Sequence, residues 1–153
     1  MQFYDDLICE WGQLSGVAIV PGPRQTCRVH FPDSQVTLQI DLDRNGERIL
    51  LGTNLGILNP GPYRKKVFLT ALKDNSLSAH LHGVLAFSSK ANALVLFQYL
   101  AMTHLSPQKL DDCLKLFLAH AKAWTLALKD GDVPITEEEP KGLTSSGMFG
   151  LRT

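Results

Sequence analysis

The chain has 153 residues, of which 44% are apolar and 20% are charged, a composition typical of one soluble globular domain. Its 15 basic and 15 acidic side chains cancel, which argues against nucleic acid or an anionic membrane as the main partner, because both select a concentrated positive charge. Its three cysteines, Cys9, Cys27 and Cys113, form no C-x-x-C pair, which argues against a zinc cluster or a redox dithiol and favours a reducing cytoplasm.

The N-terminal segment predicts an amphipathic helix that Gly16 ends. Its apolar positions recur at steps of three and four: Phe3, Leu7, Ile8, Trp11 and Leu14. The segment is acidic where a secretory signal would be basic, and no apolar run in the chain approaches the roughly 18 residues of a membrane-spanning helix. We therefore expect a cytoplasmic protein that does not insert into a membrane.

Three strands are predicted next, because the period of the apolar residues falls to two. Residues 26–31 and 35–43 alternate apolar and polar side chains on either side of a short turn, which is typical of a β-hairpin with one buried face. Asn45-Gly46 is the strongest short hairpin signal in the chain and leads into a third strand over 49–58, which Gly52 and Gly56 weaken.

The middle of the chain predicts a second helix followed by two more strands. The apolar stripe of this helix contains Val67, Phe68, Ala71 and Leu72, and after a break near Asn75 it continues through Leu77 and Leu81. Strands are predicted over 84–89 and 91–102. The second of these is apolar on both faces, so we expect it to be central in the sheet or to lie at an interface.

The last helix has a clear entrance, with Ser106 as N-cap and Pro107 at the first helical position. One buried stripe is predicted: Leu110, Cys113, Phe117, Ala121, Trp124 and Leu128. Four leucines lie outside this stripe and predict a second apolar surface: Leu114, Leu116, Leu118 and Leu126.

The predicted order of elements is α-β-β-β-α-β-β-α, an α+β fold in which helices pack against a twisted antiparallel sheet. We expect a single domain over residues 1–130. Residues 131–153 are rich in Gly, Pro, Ser and acidic side chains without any period, and predict a flexible C-terminal tail.

The histidines are the main candidates for chemistry. His80 and His82 could supply two metal ligands, but no cysteine or carboxylate lies at ligand spacing beside them. His120 lies next to the buried stripe of the last helix, where a histidine with a local hydrogen bond is a simpler interpretation than a general base. We predict no catalytic residue, no metal site and no cofactor. A small-ligand enzyme that uses His80, His82 or His120 remains an alternative.

The second half of the chain carries a sequence of features that resembles a known family. A helix reaches Asn75, strands cover 84–87 and 94–100, Leu105-Ser106-Pro107 with Leu110 opens a long helix, and Trp124 lies near the end of that helix. This order and spacing resembles the Tir-chaperone (CesT-type) family of type III secretion chaperones, over roughly residues 1–130.

The resemblance implies a bacterial cytoplasmic homodimer without enzymatic activity. Such a dimer binds the extended N-terminal segment of one or more secreted effector proteins, and the secretion ATPase is a further implied partner. A secretion-linked regulator that binds another chaperone or an anti-activator is an alternative function for the same fold.

Two sets of apolar residues are candidates for these contacts, because together they exceed what one domain can hide. The predicted dimer interface contains Phe68, Leu69, Leu72, Leu96, Phe97 and Tyr99. The predicted effector-binding residues are Phe3, Tyr4, Leu7, Val29, Phe31, Leu38 and Ile40. Sequence alone does not divide the second set between core and groove, but we expect Phe3, Tyr4 and Phe31 to border an exposed patch.

Overall fold

The computed structural model describes residues 2–19 and 21–134. These residues form three helices and five strands in the predicted order: α1 (Gln2–Ser15), β1 (Thr26–Phe31), β2 (Val36–Leu42), β3 (Arg48–Ile57), α2 (Pro62–His82), β4 (Val84–Ser88), β5 (Ala93–Ala101) and α3 (Pro107–Lys129). The α+β prediction is confirmed. None of the helices in this part of the chain is long and apolar enough to cross a membrane.

The five strands form one antiparallel sheet in the order β1-β2-β3-β5-β4, so β1 and β4 are its edges. Alternate residues of β1, β2 and β3 are buried, because the helices cover one face of the sheet and leave the other face open. α3 contacts β2 and β3 and lies between α1 and α2. The indole of Trp11 in α1 donates a hydrogen bond to Asp111 of α3 (3.1 Å), which fixes these two helices together.

α3 begins as predicted, since the Ser106 hydroxyl accepts a hydrogen bond from the Lys109 N–H. Its buried residues are Leu110, Leu114, Phe117, Ala121, Trp124 and Thr125. The prediction that Leu114 belongs to a second apolar surface is therefore wrong. The buried face is broader than one stripe, because α3 has the sheet beneath it and a helix on each side.

α2 runs without interruption through Asn75, so the predicted break there is wrong. The Asn75 side chain points away from its own helix and bonds to the backbone of Leu85 in β4. Leu77 and Leu81 are about half exposed (50% and 49%) and do not continue the buried stripe. The helix ends at Gly83, whose φ of +100° suits glycine.

The first residues of the predicted tail contact α2. The Tyr63 hydroxyl donates to the carbonyl of Asp132 (2.7 Å), and Lys66 forms an ion pair with the Asp132 carboxylate (3.3 Å). Residues 135–153 of the predicted tail lie outside the described residues.

Candidate partner-binding surfaces

The outer face of α2 carries the most exposed leucines of the predicted dimer interface. Leu69 and Leu72 are 59% and 67% exposed, and we call this pair the α2 outer face. On the opposite side of the same helix, Val67 and Ala71 are buried. α2 is therefore apolar on both sides, and only one side is covered within the protomer.

Beside this face, three side chains join α2 to the edge strand β4. The rings of Phe68 and Phe87 meet edge to face with centroids 5.2 Å apart. The Arg64 guanidinium lies 4.2 Å from the Phe87 centroid and 5.3 Å from that of Phe68. Aromatic and arginine side chains held in this way are typical of interface anchors, because they are large and already ordered.

The open face of the sheet contributes Phe97 and Tyr99 of β5. Tyr99 is 47% exposed, its ring packs against Phe97, and the Arg48 guanidinium lies 4.3 Å from its centroid. Leu96 points to the other face and is fully buried. Its inclusion in the predicted dimer interface is wrong for this conformation, because neighbouring residues of a strand face opposite sides of the sheet.

The predicted effector-binding residues divide sharply between surface and core. Phe3 is 85% exposed and Phe31 is partly exposed. The other five are core residues, so they are not open to a partner here: Tyr4, Leu7, Val29, Leu38 and Ile40. The prediction that Tyr4 borders an exposed patch is wrong. Its hydroxyl donates to the Ile40 carbonyl (2.6 Å), and burial raises the pKa of this phenol.

The remaining leucines of the predicted second surface on α3 differ from one another in exposure. Leu116 and Leu126 are 45% and 46% exposed, whereas Leu118 is partly buried against the core.

A buried carboxylate, Asp74, joins α2 to α3. Its Oδ2 accepts hydrogen bonds from Trp124 Nε1 (2.8 Å) and lies 2.9 Å from His120 Nε2, and its Oδ1 accepts one from the Ser78 hydroxyl (2.9 Å). Burial raises the pKa of Asp74, but the three hydrogen bonds, first that of His120, outweigh burial and leave the pKa below its usual value. We call these four residues the Asp74 cluster.

The ring of His82 stacks on that of His120, with centroids 5.1 Å apart. The prediction that His120 is partly buried and hydrogen-bonded agrees with this geometry, but its partner is a carboxylate of α2 and not a local group. The side chain of His80 lies outside the described residues. In the described part of the chain, no group of three His, Cys, Asp or Glu side chains is placed to hold a metal ion.

A shallow cavity of about 310 Å³ lies between the end of β5 and the start of α3, and its lining includes Leu100, Leu105 and Cys113 as well as the charged Lys109 and Asp112. Burial, followed by the charge of Asp112, raises the pKa of the Cys113 thiol. The thiol is therefore protonated near neutral pH, as expected for an inert cysteine rather than a nucleophile.

A model of the Tir chaperone protein (CesT) family matches residues 6–125, which is most of the chain. The chain belongs to the Tir chaperone (CesT) family. The predicted resemblance is confirmed, and with it the function of a type III secretion chaperone. Comparison with curated protein sequences gives no match.

Solved structures of low sequence identity share this CesT fold. The HopA1–SchA chaperone–effector complex contains a chain with a TM-score of 0.67 and 21% identity, covering 82% of this chain and 94% of its own length. The ExsC–ExsE complex contains a chain with a TM-score of 0.65 and 18% identity, and the match covers 87% of this chain and 95% of that one. The heterodimeric ExoU–SpcU complex of the Pseudomonas aeruginosa type III secretion system contains a chain with a TM-score of 0.60 and 18% identity. This match covers 80% of this chain and 94% of that one.

Two features of this CesT chain could not be found from its sequence. The Asp74 cluster joins residues 50 positions apart, and the Asn75 contact joins residues 10 positions apart across a helix end. The sequence does show an aspartate and an asparagine, both weak helix formers, in the middle of an otherwise regular helix.

Proposed function

We propose that this CesT-family chaperone is a cytoplasmic homodimer that holds the extended N-terminal segment of one or more secreted effectors in a soluble, secretion-competent form. Family membership over residues 6–125 is the observation that carries the proposal. An effector as partner is also supported by the similar structures, since HopA1–SchA is a chaperone–effector complex.

The α2 outer face supports a dimer between identical chains. A two-fold axis beside Leu72 brings this leucine against its own copy, so one exposed apolar face covers another of the same shape. Fully removing a leucine from water contributes about 1.5–3 kcal/mol, and a two-fold interface buries one copy of Leu72 from each chain. Arg64 and Phe68 extend the same interface along β4, and Tyr99 adds a contact from the open face of the sheet.

The α1–β1 side supports binding of an extended chain. The Thr26 carbonyl accepts a hydrogen bond from the Gly22 N–H, which lies outside the sheet. The N–H and C=O groups of every second residue in a strand point to the same side. Those of Arg28 and His30 therefore point away from β2, as the Thr26 carbonyl does. In the described part of the chain these groups have no backbone partner, so an extended segment can add to the sheet as another strand.

The side chains around this edge indicate which segment fits. Phe3 lies on the same turn of α1 as Tyr4, which contacts β2, and Phe31 ends β1. Arg28 and His30 are exposed on the opposite face of the sheet. A bound segment therefore places apolar side chains towards Phe3 and Phe31 and acidic or polar ones beside Arg28. Burial of a long segment, roughly 1,000–3,000 Å², outweighs the entropy of ordering it.

The test is co-expression with an N-terminal fragment of a secreted protein encoded beside this chain. We expect the fragment to become soluble and to co-purify at two chaperone chains per fragment, measured by light scattering. A fragment that stays insoluble, together with a stable complex with another chaperone or an anti-activator, would support the regulatory alternative instead. Turnover of a small ligand that is lost in His120→Ala would support the enzyme alternative.

A further inference from the structure

The sheet has two edges, β1 and β4, and they differ in their free hydrogen-bonding groups. An edge strand presents unpaired N–H and C=O groups that attract any extended chain, including another copy of the same protein. At β1 the outward groups of Arg28 and His30 have no backbone partner among residues 2–19 and 21–134. At the centre of β4 the outward groups of Leu85 are both occupied.

The occupant at the centre of β4 is the side chain of Asn75. Leu85 lies opposite Leu96 of β5, and its own N–H and C=O point away from β5. Asn75 Oδ1 accepts from the Leu85 N–H at 2.8 Å, and Asn75 Nδ2 donates to the Leu85 carbonyl at 2.8 Å. A carboxamide has the same kinds of donor and acceptor as a peptide group. Asn75 therefore makes the two hydrogen bonds with Leu85 that a residue of a further strand would make.

The neighbouring outward positions of β4 are also occupied or covered. The Gly83 N–H donates to the Ala79 carbonyl at the end of α2 (2.9 Å). The ring of Phe87, two residues beyond Leu85, packs against Arg64 and Phe68 of α2. α2 packs beside this edge, and Asn75 supplies its hydrogen bonds to the centre of β4.

We propose that Asn75 is a specificity-determining residue that seals the β4 edge, so that an extended segment adds to the sheet only at β1. The identity of that segment rests on the proposed chaperone function, but sealing is a property of the free protein. Without Asn75, Leu85 offers a second site, both to an effector segment and to β4 of another copy.

The experiment compares Asn75→Ala with Ser76→Ala, its exposed neighbour, and with the parent chain. We expect Asn75→Ala to speed hydrogen exchange at the Leu85 amide about tenfold, because its hydrogen-bond acceptor is gone. Light scattering should show assemblies larger than those of the parent, growing with concentration. A synthetic peptide of alternating valine and glutamate should bind at two sites per chain instead of one. Ser76→Ala should match the parent in all three measurements.

The proposal is overturned if Asn75→Ala keeps the parent's assembly size and peptide stoichiometry, even where the Leu85 amide exchanges faster, because Asn75 then stabilises β4 only locally. If Asn75→Ala does not fold, the same measurements are made on Asn75→Asp, which keeps the acceptor for the Leu85 N–H and removes the donor to the Leu85 carbonyl. Exchange and light scattering need no effector. If the parent chain does not bind an effector, the exchange and light-scattering results on Asn75 still hold. If those two measurements contradict the role of Asn75, the proposed chaperone function is unaffected.

Discussion

The α2–β4 end of the molecule and its α1–β1 end both expose apolar side chains, but the secondary structure that carries these side chains differs between the two ends. At the α2–β4 end, Leu69 and Leu72 stand on a long helix whose other side is fixed by Asp74, and the strand edge beside it is occupied by Asn75. At the α1–β1 end, the strongly exposed ring of Phe3 accompanies an open strand edge. A rigid leucine face can cover its own copy, whereas an open edge accepts the backbone of a different, extended chain.

The largest effect is expected from removing the carboxylate that fixes α2. Asp74→Ala leaves the donors of His120, Trp124 and Ser78 without their shared acceptor in a buried site. We expect the free energy of unfolding, measured with urea, to fall by about 3 kcal/mol. Ser78→Ala, which removes one donor and keeps the carboxylate, should cost about 1 kcal/mol. Equal losses in the two variants would contradict a central role for Asp74.

The next effect concerns the α2 outer face. Leu72→Asp places a charge where the proposed two-fold interface excludes water, and we expect the dimer dissociation constant to rise at least about 100-fold, or roughly 2.7 kcal/mol. Light scattering at micromolar concentration should then give the mass of one chain. Leu116→Asp on α3, where the leucine is 45% exposed, is the matched control and should keep the parent's mass. A monomeric parent chain would refute the dimer itself.

The positions of the helices and strands at both ends of the molecule could largely be predicted from the sequence. The alternation in 26–31 and 35–43, the Asn45-Gly46 turn and the Ser106-Pro107 entrance are local signals, and each fixes backbone structure where it occurs. Whether a given apolar residue is core or surface depends on which elements meet, and that is decided over long distances. The segments around Leu96 and Leu114 are apolar on both sides, which predicts surface positions for these leucines, but the structure buries both.

Phe3 and Tyr4 show the same limit at single-residue scale. They are neighbours in α1 with similar side chains, yet one is 85% exposed and the other is fully buried. One step along a helix turns the side chain by about 100°, so it can cross the boundary between core and solvent. The hydroxyl of Tyr4 then finds the Ile40 carbonyl, 36 residues away, which no local pattern predicts.

A smaller effect is expected from the exposed ring at the α1–β1 end. Phe3→Ser should leave the melting temperature and the dimer unchanged, because the side chain is 85% exposed. We expect the affinity for an effector segment to fall about tenfold, or roughly 1.4 kcal/mol, measured by calorimetry. Leu14→Ser at the other end of α1, where the leucine is 51% exposed, should leave that affinity unchanged. Equal losses of affinity in both variants would mean that binding does not centre on Phe3.

The smallest effect is a pH dependence that the two ends should not share. The pKa of Asp74 is lower when folded than its unfolded value of about 3.9, so its contribution is fully present above that value and is lost as the pH falls through the lowered folded pKa. The parent chain should therefore lose more stability than Asp74→Asn between neutral pH and about pH 3, measured as free energy of unfolding in urea. The carboxylates of Asp43, Asp111 and Asp132 also have lowered pKa values, but they remain in both proteins, so their contributions cancel in the comparison.

Tyr4→Phe at the α1–β1 end removes a hydrogen bond but no acid-titrating group, so its difference from the parent should stay constant over the same range. Parallel acid curves for the parent and Asp74→Asn would show that the charge of Asp74 does not fix α2.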